Sequence, residues 1–178
     1  MSKIYLDMDG VLADFFGGLE KFYGVDHWKM LKEESILGVK GTDFFYTLNP
    51  FETANKLVEH VKWIAWQNEM DWGINSSPLR GDKDNSAYWK RRWLEDMGWM
   101  PKVENLIFTG QKENYAVNRF DGSPNILIDD KPTNVTRWIA KGGIGIRYQS
   151  NEDDLEYLFP KLQEAIDNVT SGNFKYKD

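Results

Sequence analysis

Cysteine is absent from the 178 residues, and histidine occurs only as His27 and His60. The first absence excludes disulfides, thiolate catalysis and Cys-based metal or redox motifs, and it fits a reducing compartment. The second leaves little from which to build a Ser/His/Asp triad or a multi-histidine zinc site. Positive charge is also short. With 22 Lys+Arg against 28 Asp+Glu, the net charge is −6 and the sequence pI about 5.0. No broad basic surface exists to track a nucleic-acid backbone or coat an anionic membrane, so an anionic substrate must be held by local cations. No apolar run approaches the roughly 18 residues of a membrane span. The chain enters a strand by residue 3, which leaves no room for a secretory signal, and the expected location is cytoplasmic.

What the chain does have is 41% hydrophobic and 15% aromatic residues, enough for one sizeable core with a small inserted subdomain. Short apolar runs bounded by turn signals alternate with helical patterns, predicting an α/β fold with a mainly parallel, Rossmann-like sheet flanked by helices. Strands are expected at Ile4 to Met8, Trp72 to Asn75, Asn105 to Phe108, Asn125 to Ile128 and Ile144 to Arg147. Helices are expected from Phe51 to Ala65, where apolar residues recur at the 3.6-residue period, and at Ser86 to Met97, Thr133 to Ala140 and Asp154 to Val169. The closing "SGNFKYKD" reads as frayed. Residues 17–50 do not fit a short βα connection. They begin helically, carry Trp28 and the cluster Phe44, Phe45, Tyr46, and are expected to form a small cap inserted after the first strand, the core being 1–16 and 51–178.

The acids sit at strand ends. Asp7 and Asp9 close "KIYLDMDG", and Asp129 and Asp130 close "NILIDD", so a parallel sheet gathers all of them at one edge. Two carboxylates about 5 Å apart at an effective dielectric near 20 repel by roughly 3 kcal/mol, and the cluster therefore demands a cation. Oxygen donors without His or Cys point to Mg²⁺. An EF-hand loop starting at Asp7 fails, because Leu12 and Gly18 stand where glycine and glutamate are needed. Two acids at i, i+2 can instead divide the work of phosphoryl transfer. Asp7 attacks phosphorus, and Asp9 protonates the leaving oxygen and then deprotonates water. Ser76 and Ser77 in "NSSP", Lys90 in "KRRWL" and Lys112 in "FTGQK" are candidate phosphate ligands. Their bland alternatives are turn chemistry for the serines, a solvated helix face for Lys90 and a surface loop for Lys112. "KGGIG" at Gly142 reads as a helix stop. The glycosylation-type triplets at Asn134 and Asn168 carry no meaning in a cytosolic chain.

"DMDGVLADF" resembles the first motif of the haloacid dehalogenase (HAD) superfamily, and more closely that of the 5'(3')-deoxyribonucleotidases. "SSP", Lys90 in "KRRWL", the lysine of "FTGQK" and "LIDDKP" follow in family order. The resemblance implies a HAD-like core, a helical cap and Mg²⁺-dependent hydrolysis of a small phosphorylated substrate, a deoxyribonucleoside monophosphate. In it Asp7 is the nucleophile and Asp9 the acid/base. The metal touches the Asp7 carboxylate, the Asp9 carbonyl and Asp129, and Asp130 supports the network. Ser76 binds the phosphoryl group, Lys90 neutralises it and orients Asp7, Ser77 and Lys112 add phosphate contacts, and Phe15 lines the pocket. A homodimer is compatible with this reading. Two alternatives are weighed: a HAD phosphatase for another small phosphoester or a 3'-phosphate nucleic-acid end, and a non-catalytic phospho-accepting or binding domain. Retention of Asp9 speaks against the second, because a mere acceptor has no use for an acid/base.

Overall fold

The computed structural model describes residues 1–171; residues 172–178, and with them nearly all of the segment expected to fray, lie outside the described residues. Five parallel strands form one sheet in the order β3-β2-β1-β4-β5. They are β1 Lys3–Leu6, β2 Asp71–Ser76, β3 Leu106–Phe108, β4 Ile126–Asp129 and β5 Ile144–Arg147. Ile4, Leu6, Ile126, Leu127 and Ile128 are all fully buried. Strands covered on both faces have to be apolar throughout rather than alternating, and this composition is what selects the parallel arrangement.

Helices α2 (Ala54–Gln67), α3 (Lys83–Met97) and α5 (Leu155–Thr170) share a core with Ile4, Leu6, Ile74 and Ile128. Helix α4 (Pro132–Ala140) covers the other face, where Trp138 packs edge-on against Tyr5 and beside Leu127. The period read in α2 holds: Leu57, Val58, Val61, Ile64 and Ala65 are its buried stripe, and each large aliphatic stabilises by roughly 2 kcal/mol. Gly142, at φ +91, ends α4 ahead of β5. Among the described residues no helix is long and apolar enough to cross a membrane.

Several boundaries differ from expectation, α3 beginning at Lys83 rather than Ser86 among them, and two have a visible cause. Strand β1 stops at Leu6 rather than Met8, because the Met8 carbonyl takes the amides of Leu12 (2.8 Å) and Ala13 (2.9 Å), folding residues 8–13 into a tight loop around Gly10 at φ +79. Helix α2 starts at Ala54 rather than Phe51, whose amide instead donates to Leu12 O at 2.9 Å.

The segment between β1 and α2 opens with helix α1 (Phe15–Tyr23), capped by Asp14 accepting from the Gly17 amide and ended by Gly24 at φ +65. Three short 3-10 turns follow, at Trp28–Met30, Glu33–Val39 and Phe44–Tyr46. The segment buries Leu19, Val39, Phe44, Phe45 and Leu48. It is also tied to α3: Trp93 Nε1 donates to Leu48 O (2.8 Å), Asn85 Nδ2 to Thr42 O (3.0 Å) and the Gly41 amide to Asp82 Oδ2 (2.9 Å).

Candidate active site

The connections leaving β1 and β4 run to opposite faces of the sheet, which makes the gap beyond their carboxyl ends a topological switch point. Asp7 emerges there from β1, its amide held by Ile128 O at 2.9 Å. Asp129 and Asp130 emerge beside it from β4. One oxygen from each of Asp7, Asp129 and Asp130 lies within 4.8 Å of the others. The loop that brings them together depends on Gly10: a Cβ there would sit 2.3 Å from Asp130 Oδ2.

Two buried lysines divide the acids between them. Lys112, 2% exposed, bridges Asp7 Oδ1 (2.8 Å) and Asp129 Oδ2 (2.6 Å). Burial pulls its pKa down, yet the charges of Asp7 and Asp129 outweigh that and push it up to about 12. Lys90, 1% exposed on α3, donates to Asp9 Oδ2 (2.7 Å), Ser76 Oγ (2.9 Å) and Ser77 O (2.9 Å). Its ammonium also lies 4.7 Å from the centroid of the Phe45 ring, which closes its remaining side.

These contacts change one expected role and decide between the alternatives for others. The lysine touching Asp7 is Lys112, not Lys90, whose three bonds go to Asp9 and the serine pair. Lys112 is no surface-loop residue, and Lys90 no solvated one. Ser76 is fully buried and accepts from Lys90, whereas Ser77 lines the open cleft. The carboxylate of Asp9 turns to Lys90 and stands apart from the three-acid cluster, leaving only its carbonyl for the metal role the resemblance implies. Asp9 Oδ1 is buried with no hydrogen-bond partner among the described residues.

Burial raises the carboxyl pKa of Asp9, with Lys90 pulling the other way and Asp7 adding to the rise. Asp129 and Asp130 are likewise raised, first by burial and then by the charge of Asp7. Asn134 was missed. Its Nδ2 donates to both oxygens of Asp129 (3.2 and 3.1 Å), and the Lys131 amide adds a bond to Oδ1 at 2.9 Å. The available signal was its place in the first turn of the helix after "IDDKP", five residues from Asp129.

Above the acids opens a cleft of about 830 Å³. Phe15 lies parallel to Phe45 (centroids 6.2 Å, 14°), and Phe16 packs on Trp28 at 4.8 Å; all four line the cleft. Phe44 packs into the core instead, and the Tyr46 hydroxyl bonds Asp96, so of that cluster only Phe45 reaches the opening. An array of buried carboxylates, two fixed ammonium groups and an aromatic-walled cleft can bind a phosphoryl group with a divalent ion and present a carboxylate nucleophile to it.

No family model matches the chain. It is 30% identical to the mitochondrial 5'(3')-deoxyribonucleotidase of Mus musculus over 73% of its own length, and it spans 64% of that relative. A Bacillus subtilis structure described as a HAD-hydrolase bound to magnesium superposes at TM-score 0.57 with 14% identity, covering 90% of this chain and 98% of that one. A HAD family hydrolase of Deinococcus radiodurans with bound phosphate and sodium gives 0.53 with 12% identity, covering 95% and 96%.

Proposed function

We propose, for a chain that has the fold of the haloacid dehalogenase hydrolases, that it is a Mg²⁺-dependent phosphatase of deoxyribonucleoside monophosphates, working through an aspartyl-phosphate on Asp7. The observation that carries this reading is the partition of acids at the switch point. Asp7 sits against Lys112 and the Asp129–Asp130 pair, and Asp9 is held separately by Lys90. The nucleotide part rests on the deoxyribonucleotidase relative and on the aromatic walls, with residues 17–50 as the cap that supplies Phe45, Trp28 and most of α1.

The donor set fits magnesium: only oxygens are offered, three carboxylates approach one another, and Gly10 leaves the room that Asp130 occupies. In this reading the carboxylates of Asp7 and Asp129 and the carbonyl of Asp9 hold the ion, and Asp130 supports them. The ion supplies positive charge against which the carboxylates and the phosphoryl oxygens are stabilised.

The chain's own residues do the rest. Both donors to Asp7, the Met8 amide and Lys112, fall on Oδ1, which leaves Oδ2 as the attacking oxygen. Attack forms an O–P bond and breaks the ester P–O bond. Asp9, whose raised pKa favours its protonated form, gives its proton to the departing oxygen. Asp9 then takes a proton from the water that attacks phosphorus, which releases phosphate and restores Asp7. Lys90 fixes the Asp9 carboxyl and, with Ser76 and Ser77, shapes the phosphoryl pocket.

With Mg²⁺, the purified protein is expected to release phosphate from dUMP, dTMP or their 3' isomers. Silence across a deoxynucleotide panel would contradict the reading. A sugar phosphate beating every nucleotide by about tenfold, roughly 1.4 kcal/mol in transition-state binding, would reassign the substrate.

The cluster also predicts a pH signature. Because Asp129 and Asp130 are raised, the folded chain keeps protons that the unfolded chain has already released. The stability these groups contribute is fully present below the ordinary carboxylate range near pH 4 and is lost as pH rises through their raised values. The divalent ion binds the deprotonated acids and offsets that loss. The rise in melting temperature on adding Mg²⁺ is therefore expected to be larger at pH 8 than at pH 5. Equal rises at both values would count against a metal held by these acids.

A further inference from the structure

We propose that the mouth of the cleft holds a second anion subsite, formed by Arg80 and Arg137 with Lys29 and Lys131, and that the preferred substrate is a nucleoside bisphosphate. The proposal rests on the phosphatase reading above, since it adds a second phosphate to the one cleaved at Asp7.

The four cations line the same cleft as Asp7, and each comes from a different place in the fold. Arg80 lies in the loop between β2 and α3, Lys131 precedes α4, Arg137 lies on the second turn of α4 and Lys29 belongs to the turn at Trp28–Met30. All four are exposed, and among the described residues none of them joins an ion pair. Lys29 is steered by the Trp28 ring, 5.8 Å from its ammonium. Unpaired cations that converge on one opening of a chain with net charge −6 concentrate anionic ligands there.

The charge inside the site sharpens this. With Asp9 carrying its proton, three carboxylates face the two buried lysines and one divalent ion, and the single surplus positive charge falls short of a phosphoryl dianion, which draws on the mouth cations for the rest. Among the described residues Glu152 is the one acid lining the cleft beyond the catalytic cluster, and Arg147 at 3.1 Å occupies it. Four cations exceed what one phosphate dianion requires, and the surplus suits a second phosphate at the far end of the same small molecule.

Space agrees with charge. At about 830 Å³ the cleft lies in the upper part of the range usual for small-molecule sites. On the β3 side its wall is Gly110, around which a Cβ would meet nothing within 4 Å. The reaction itself is unchanged: one ester P–O bond breaks, water supplies the hydroxyl, and the second phosphate stays on the product.

Phosphate release is to be compared for a deoxynucleoside 3',5'-bisphosphate, the corresponding 5'- and 3'-monophosphates, and an oligonucleotide with a 3'-terminal phosphate. The expected kcat/KM for the bisphosphate is about tenfold or more above either monophosphate, the worth of one or two charge-assisted hydrogen bonds. That ratio should shrink toward one in an Arg80→Gln, Arg137→Gln double variant and at high salt. Equal kcat/KM for bisphosphate and monophosphates, or a ratio indifferent to the double substitution, would overturn the proposal, as would an oligonucleotide that outpaces every small substrate. Should none of the four release phosphate, the hydrolase reading fails by itself. The subsite is then decided by calorimetric titration of the bisphosphate and the monophosphates into the wild-type protein, where about tenfold tighter bisphosphate binding supports it and equal binding refutes it.

Discussion

An Asp7→Asn variant is expected to lose at least about 10⁴-fold in turnover while melting within a few degrees of the wild type. The kinetic half follows from the loss of the nucleophile, for which no neighbour can substitute: Asp9 is tied to Lys90, and Asp129 is enclosed by Lys112, Asn134 and the Lys131 amide. The stability half follows from two opposed terms. Neutralising Asp7 removes one of Lys112's two partners, but it also removes the charge that raises the pKa of Asp9, Asp129 and Asp130. Asparagine keeps the volume and an oxygen for the Met8 amide. Phosphate release by the variant at a rate near the wild type would remove Asp7 from the chemistry, and a collapsed fold would mark it as a structural acid.

The opposite balance holds for Lys112→Met. Methionine fills the same channel without charge, so Asp7 and Asp129 are left facing each other, 5% and 0% exposed, with no cation between them. Breaking a buried pair by removing one partner costs about 3–5 kcal/mol, and here two carboxylates lose theirs. Urea unfolding in chelator is expected to show a loss of that size, and millimolar Mg²⁺ should recover part of it by standing in for the missing charge. A variant as stable as the wild type in chelator would show that Lys112 is not what holds the acids together. The same change in Lys90→Met is expected to strip the cation from Asp9 and a donor from Ser76 and Ser77 while leaving the Lys112 bridge between Asp7 and Asp129 in place.

The sheet was legible because it rests on local signals. The cores of "KIYL" and "NILID" are apolar on both faces, and runs of that kind bounded by turn signals and alternating with helical patterns suit a parallel sheet. Asp7, Asp129 and Asp130 were legible for the same reason, since carboxylates at the ends of buried strands carry a cost that a turn in solvent does not. What escaped was decided by distant packing. Nothing in "FTGQK" says that the short turn after β3 aims Lys112 at the acids ending β1 and β4 rather than outward, and the resemblance gives the contact with Asp7 to Lys90. Asn134 lay in a triplet that looked like a modification signal, and its link to Asp129 exists only because Pro132 opens a helix at once. Phe44 and Phe45 are adjacent and chemically identical. A 3-10 turn sends one into the core and the other over the Lys90 ammonium, and no periodicity distinguishes them.

The most direct measurement is an acid quench of the protein with Mg²⁺ and its best deoxynucleotide substrate within a single turnover, followed by borohydride reduction and peptide mass spectrometry. The account predicts reduction at position 7, the mark of an acyl phosphate on that carboxylate, and no such mark in Asp7→Asn. A phosphoryl group found on another side chain, with Asp7→Asn still turning over, would contradict it.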